Sequence, residues 1–232
     1  MFVIMKSSQI TRTKFFPYGV HNTTKERNLT LGNLYDWSLH NCIRRRNMQH
    51  FGTRTFETKR LICRQFISED YEDMFKNWAA NPNIQMEYGE SVYSTISQVK
   101  DLLAQYIDSY QKPDFYRWAI VEKLSNKNIG QIAFCRIYSE CRTAEIEYCI
   151  GEPFWGNGYA SEALAGLIDF TFKNTDFLKL EAYHRSGNTK SGKVLEKSAM
   201  HITDTVERFA REKILPIGEV CYCINRNDYV AL

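Results

Sequence analysis

The stretch Phe154–Phe170, FWGNGYASEALAGLIDF, decides how the rest of the chain is read. Two glycines, Gly156 and Gly158, follow a Phe-Trp pair. Behind them Ala160, Leu164, Leu167, Ile168 and Thr171 recur at helical spacing. The pattern predicts a glycine turn opening directly into an amphipathic helix. The first turn of a helix carries N–H groups without intrahelical partners and roughly half a positive charge, which suits an anion, phosphate above all. Glycine lets the backbone approach a ligand and take positive φ. A GxG that opens a helix is also a common tight turn, so its surroundings must decide. A dinucleotide fold requires a parallel, continuously apolar strand ahead of the loop, whereas TAEIEYCI (143–150) alternates. A P-loop requires Lys-Ser/Thr after the second glycine, and Tyr159-Ala160 stands there instead.

Outward from this stretch the text is orderly from Thr53 onward. RLICRQF (60–66) reads as a strand. Ser68 reads as the N-cap of a helix over EDYEDMFKNWAAN, with Tyr71, Met74, Phe75 and Trp78 on one side and Pro82 beyond its end. A polar loop, YGESVY (88–93), follows. Thr95 and Gln98 have capping-box spacing, and the helix they start places Val99, Leu102, Leu103, Tyr106 and Tyr110 together. FYRWAIVEK and IGQIAFCRIY, joined by LSNKN, read as a hairpin. TAEIEYCI puts Glu145, Glu147 and Cys149 on one face and Ile146, Tyr148 and Ile150 on the other. After the glycine turn and its helix come a strand LKLEAYH (178–184), a helix from Asn188 to about Met200, and two closing strands, HITDTVERF and EVCYCINR. The order is β-α-α-β-β-β-α-β-α-β-β, and one α+β domain over 53–229 is expected.

Composition bounds the function classes. The chain has 232 residues, 44% hydrophobic and 25% charged, ordinary values for a soluble globular protein with a core of its own. No apolar run approaches the ~18 to 20 residues of a membrane helix, and the opening MFVIM is too short for a secretory signal. Seven cysteines without a CxxC pair suggest neither a metal site nor a disulfide framework, which fits a reducing cytoplasm. Residues 1–51 carry eight Lys/Arg against two Asp/Glu, and the remainder 22 against 25. A nucleic-acid binder would carry its positive field on the folded domain, so nucleic acid is disfavoured. Residues 1–50 show no sustained period and read as a loosely attached or disordered extension, with Met48 as a candidate natural start.

The segment AEIEYCIGEPFWGNGYASEAL (144–164) resembles the acetyl-CoA-binding segment of the GNAT N-acetyltransferase superfamily. The family form Gln/Arg-x-x-Gly-x-Gly/Ala maps onto Trp155, Gly156, Asn157, Gly158, Tyr159 and Ala160. The leading tryptophan and the following YASEA are similar to the RimJ/RimL-like branch, which includes the ribosomal-protein N-terminal acetyltransferases. NTKSGKVLEKSAM (188–200) is similar to that branch's second motif, Asn-x-x-Ser-x-x-Val-Leu-Glu-Lys-x-Gly-Phe. FETKRLICRQF and YGESVYS resemble its opening strand and acceptor loop. The resemblance covers about Thr53 to Tyr229. It implies a mixed, mostly antiparallel sheet of about six to seven strands flanked by about four helices, with strands 144–150 and 178–184 splayed apart. Acetyl-CoA would enter that gap as co-substrate, with no metal. Its pyrophosphate would rest on the N–H groups of residues 156–160, and Cys149, Ile150, Asn188 and Ser191 would border it.

Acetyl transfer to an amine needs a neutral amine, a polarised carbonyl and a thiolate that can leave. Many relatives have a tyrosine as general acid where this chain has Leu195. The RimJ/RimL-like branch places a serine at the position of Ser191, whose hydroxyl would protonate the thiolate. As a plain reading, Ser191 is a helix-start residue and Asn188 the helix N-cap. Glu145 and Glu147 are candidate bases acting through water, or else a solvated strand face. The branch commonly has glycine at the position of Glu147, so no role is carried over there. Ala199-Met200 also depart from the branch's Gly-Phe. A lysine-like amine with pKa ~10.4 is neutral to about one part in 2,500 at pH 7, and an α-amino group with pKa ~7.8 to roughly 14%. The expected acceptor is a protein N-terminal α-amino group or a small amine. A non-catalytic acetyl-CoA sensor is the alternative, and a homodimer stays open.

Overall fold

A computed structural model describes residues 48–88, 90–203 and 218–229. Of the expected extension, 1–50, residues 1–47 lie outside them, as does the expected strand HITDTVERF beyond Thr203, while Met48 is buried in the core and His50 hydrogen-bonds Ser139. The described residues hold eight strands and five helices. The strands are β1 (Phe56–Glu57), β2 (Leu61–Arg64), β3 (Arg117–Glu122), β4 (Lys127–Tyr138), β5 (Thr143–Ile150), β6 (Lys179–Arg185), β7 (His201–Thr203) and β8 (Glu219–Asn225). They form one sheet in the order β1-β2-β3-β4-β5-β6-β8-β7, antiparallel except for the parallel β5–β6 pair.

Two layers of helices cover the sheet. Helix α1 begins with a 3-10 turn at Ser68–Asp70 and continues as an α turn (Tyr71–Met74) and a π turn (Phe75–Ala79). With α2 (Pro82–Tyr88) and α3 (Ile96–Ser109) it packs Met74, Trp78, Ile84, Val99 and Leu103 on Ala119, Val121 and Cys149. Helices α4 (Tyr159–Asn174) and α5 (Thr189–Glu196) bury Leu164, Leu167, Ile168 and Leu195 against Trp118, Ile120, Ile146, Tyr148 and Ile150 on the other face. Alternation along β3 and β5 sends successive residues to opposite layers, as a strand period of two requires. Among the described residues no helix is long and apolar enough to cross a membrane.

Several boundaries differ from the expectations. Eight strands replace six to seven because the two-residue β1 precedes β2, and five helices replace four because of α2. Pro82 does lie beyond α1, but it also opens α2: proline's missing N–H and fixed φ are tolerated in a first helical turn. The N-cap of the first helical segment is Ile67, not Ser68. Its N–H donates to the Asp70 carboxylate at 2.9 Å, half of a capping box. The last helix stops at Glu196, short of Met200. The Thr95–Gln98 capping box is present in both directions.

The feature that shapes the site is the short β5–β6 pairing. It runs from Thr143↔Lys179 to Ile146↔Ala182 and then stops. Beyond it, β5 continues against β4 as far as Gly130↔Ile150, and β6 continues against β8 as far as Arg185↔Glu219. The two strands therefore splay apart, each held by its outer neighbour.

Gly130 keeps β5 close to β4 along the split. A Cβ there would come within 2.2 Å of the Cys149 carbonyl oxygen, a contact with backbone that no rotamer relieves. We expect Gly130→Ala to destabilise by about 2–3 kcal/mol. At ~2–4 °C per kcal/mol for a domain of this size, the melting temperature should fall by roughly 5–10 °C, which thermal denaturation followed by circular dichroism measures.

Candidate functional site

The glycine turn lies at the mouth of the split. Gly156 and Gly158 adopt φ of 80° and 77°, the left-handed region where a side chain is strained. Gly158 is itself the N-cap of α4 and offers no capping side chain, so the first N–H groups of the helix keep their donors for something else. An added Cβ at Gly156 would meet nothing within 4 Å, so this backbone borders open space. Asn157 turns inward: its amide donates to the Phe154 and Trp155 carbonyls at 3.2 and 3.3 Å. The Trp155 indole N–H donates to the Ile150 carbonyl at 2.6 Å and ties the turn to the end of β5.

A second tie comes from the opening hairpin. The Arg60 guanidinium holds Glu162 in the first turn of α4 at 2.6 Å and the Asn157 carbonyl at 2.9 Å, and it lies 4.5 Å from the centre of the Tyr159 ring. Thr58 and the Arg60 N–H also donate to the Glu162 carboxylate. Burial raises that carboxyl's pKa, but these donors outweigh it and hold it below the usual value. Glu162 thus anchors α4 and neutralises Arg60.

Facing the turn is α5. Gly156, Gly158, Tyr159 and Ala160 share a cleft with Lys190, Lys193 and Lys197, and Ile150 and Val194 form its apolar floor. The lysines recur at helical spacing and are exposed. Lys190 also lies over the Trp155 ring at 4.7 Å. Three ammonium groups beside a helix N-terminus make an anion site, and the lysines are the part that the motif reading left out. Their signal, three lysines on one helical face, was present in NTKSGKVLEK.

Asn188 caps α5, accepting the Ser191 N–H on Oδ1 at 3.2 Å. Its Nδ2 donates to Glu87 of α2 at 3.1 Å, which links the two helices. Ser191 is fully buried, and burial pushes the Tyr148 pKa far up, partly offset by the neighbouring Ser191; the Tyr148 hydroxyl makes no hydrogen bond among the described residues. Tyr148 therefore stays neutral beside Ser191.

The carboxylates occupy the opposite face of β5. Glu145 lies where β5 and β6 are still paired, opposite Glu181, with Arg136 at 3.3 Å. Glu147 is the first residue past the last pair. Both are fully buried, so neither belongs to a solvated strand face. Glu147 Oε1 accepts from Arg117 Nη2 at 2.6 Å and from the Tyr88 hydroxyl at 2.5 Å. Arg117 Nη1 reaches Gln131 at 2.8 Å and Tyr88 at 3.2 Å, and its guanidinium lies over the Tyr106 ring at 4.6 Å. Burial pulls the Arg117 pKa down, but Tyr106, Tyr88 and Glu147 overcome it and hold the group charged. Burial and the Glu147 charge push Tyr88 well up, so it remains a donor. Cys149, on the same face, is a neutral thiol, pushed up to about 12 by burial. Arg117 and Gln131 carry no motif, and Tyr88 belongs only to YGESVYS, the stretch that resembles an acceptor loop; in the structure it ends α2. Among the described residues no group of three or more His, Cys, Asp or Glu side chains is arranged to hold a metal ion.

Known proteins share this fold. The sequence model described as "Acetyltransferase (GNAT) domain" matches residues 60–201. An N-acetyltransferase of Bacillus licheniformis, itself uncharacterized, is 27% identical over 175 residues, covering 75% of this chain and 98% of the relative. The crystal structure of a GNAT-family acetyltransferase from Bacillus anthracis superimposes with a TM-score of 0.62 at 22% identity, covering 75% of this chain and 99% of that one. The ribosomal-protein-S5-alanine acetyltransferase of Vibrio fischeri does so at 0.60 and 18%, covering 76% and 99%. The family match spans more than half of the sequence and contains both the split strands and the glycine turn. On that match the chain belongs to the GNAT acetyltransferase family and is an N-acetyltransferase.

Proposed function

We propose that the protein transfers an acetyl group from acetyl-CoA directly to a primary amine, either a protein N-terminal α-amino group or a small amine. The observation that carries this reading is the cleft shared by the glycine turn and α5. It opens beside the split and pairs uncapped helix N–H groups with Lys190, Lys193 and Lys197. The residues fit acetyl-CoA: the turn and lysines would hold its phosphates, and the apolar floor at Ile150 and Val194 its pantetheine arm. Bound acetyl-CoA supplies a thioester, on whose carbonyl carbon the amine lone pair forms the C–N bond while the C–S pair leaves on sulfur. Ser191 would give the sulfur its proton. Glu147, at the first unpaired position, would take the proton from nitrogen. Net, one proton passes from nitrogen to sulfur, and exchange with solvent resets both side chains. Glu145 stays behind the split, engaged with Arg136. The α-amino end of the acceptor range is favoured by magnitude, since roughly 14% of such a group is already neutral at pH 7. A RimJ/RimL-like placement agrees with the named Vibrio fischeri neighbour.

The proposal is tested by thiol release from acetyl-CoA with a panel of N-terminal peptides and small primary amines. Acetyl-CoA binding without thiol release for any amine would leave a cofactor-binding module in place of a transferase.

The anion seat yields a paired prediction. Asn and Asp both tolerate the left-handed φ of Gly158 better than other residues, so the two variants share strain and differ in charge. Gly158→Asn should keep acetyl-CoA affinity within about tenfold, while Gly158→Asp should lose far more through repulsion at the helix N-terminus. Calorimetry compares them, and equal affinities would remove the phosphate from this turn.

For Ser191→Ala we expect kcat to fall by about 10² or somewhat less, with acetyl-CoA affinity little changed, because the lost interaction strengthens only as charge develops on sulfur. The deficit should shrink as pH rises and the thiolate leaves without a proton. A pH–rate profile beside a melting curve checks this. Wild-type kcat with only a lowered melting temperature would make Ser191 structural.

A further inference from the structure

The buried polar group around Glu147 has an asymmetry. Oε1 receives both donors, Arg117 Nη2 and the Tyr88 hydroxyl, while Oε2 is buried with no hydrogen-bond partner among the described residues. A buried carboxylate oxygen without a donor is costly, so its vacancy needs a reason. The geometry supplies one. Arg117 reaches Glu147 from β3, across β4, so its side of the carboxylate is the β4 side; β6, and the gap left by the ended pairing, lie on the other side of β5. Tyr88 comes from the last residue of α2 and fixes the carboxylate about the same oxygen.

We propose that Tyr88 and Arg117 are positioning residues, which hold the Glu147 carboxyl turned so that Oε2 is kept for the N–H of the acceptor amine. This rests on the reaction proposed above. Arg117 and Tyr88 both grip Oε1, one from β3 and one from α2, and so fix the direction of the carboxyl. In the reaction Oε2 accepts the proton released as the C–N bond forms, while Oε1 keeps its two donors throughout. The ionisable groups around this carboxylate are Tyr88 on α2, Tyr106 on α3, Arg117 on β3, Cys135 on β4, and Glu145 and Cys149 on its own strand. The two tyrosines and two thiols all have pKa values raised by burial, and Arg117 is the cation bonded to the carboxylate.

A double-mutant cycle tests the assignment. Wild type, Tyr88→Phe, Glu147→Gln and the double variant are compared in kcat/KM for the most active amine of the panel, and in acetyl-CoA affinity by calorimetry. Tyr88→Phe should lower kcat/KM about tenfold and Glu147→Gln about 10². The double variant should match Glu147→Gln within about twofold, because Tyr88 acts through the carboxylate alone. Acetyl-CoA affinity should be unchanged in all four. Arg117→Lys, which keeps a cation but loses the planar fork, is run through the same cycle and carries the test where Tyr88→Phe fails to fold. A full tenfold loss persisting in the Glu147→Gln background, no effect of Tyr88→Phe, or a parallel fall in acetyl-CoA affinity would each overturn the proposal. A wild-type protein that releases no thiol with any amine would remove the reaction, and this proposal with it.

Discussion

The structure turns on a parallel pairing that lasts four residues. Past Ile146 and Ala182, the sides of β5 and β6 that face each other have no ladder to complete, although each strand remains fully paired on its outer edge. Unpaired backbone groups are tolerated only where solvent or a ligand satisfies them, so a split in the middle of a sheet marks a place kept open. Everything functional is placed relative to it. The connection from Ile150 to Gly158 is short, which sets the N-terminus of α4 at its mouth. Trp155 fastens that connection to β5, and Arg60 fastens α4 to the opening hairpin. The hairpin, remote in sequence, thereby fixes the anion seat.

Two kinds of electrostatics meet across β5, and their magnitudes differ. Lys190, Lys193 and Lys197 are exposed and act in water, where each ion pair contributes at most about 1 kcal/mol and salt weakens it. Three of them with a helix N-terminus suit a multiply charged phosphate group that must also leave. Arg117 and Glu147 are dry, and breaking such a pair costs about 3–5 kcal/mol. The lysine side is thus suited to exchange and the Arg117–Glu147 side to fixed geometry.

Much of this was legible in the sequence where a period or a cap carries the signal. The alternation of TAEIEYCI placed Glu145 and Glu147 together, the Thr95–Gln98 box started α3, and the two motifs located the split strands. The misreadings have physical causes. Pro82 was read as a stop, but the residue that cannot extend one helix is well suited to begin the next. Ser68 was read as a cap from its type, whereas the cap interaction comes from Asp70 reaching back to Ile67. Most of all, Tyr88, Arg117 and Gln131 come from α2, β3 and β4 and meet only because the sheet order places β3 and β4 beside β5. No local pattern encodes a polar cluster assembled from four elements. Arg117 sits in RWAIV, a run whose burial on both faces hides its one charge.

Stability alone does not account for that cluster. Well-packed apolar side chains of the same volume are often as stable as a buried ion pair, or more so. A network kept for rigidity would also be expected to satisfy all its members. Here Arg117 Nε and Glu147 Oε2 both lack partners among the described residues, so desolvation is incurred without full compensation. Local rules are broken in this way mainly at functional sites. Leucines in place of the pair would give a quieter core and leave no acceptor at the first residue beyond the split. The incomplete satisfaction of this cluster, in a fold stable through its two apolar layers, is what the proposed role of Glu147 explains and stability does not.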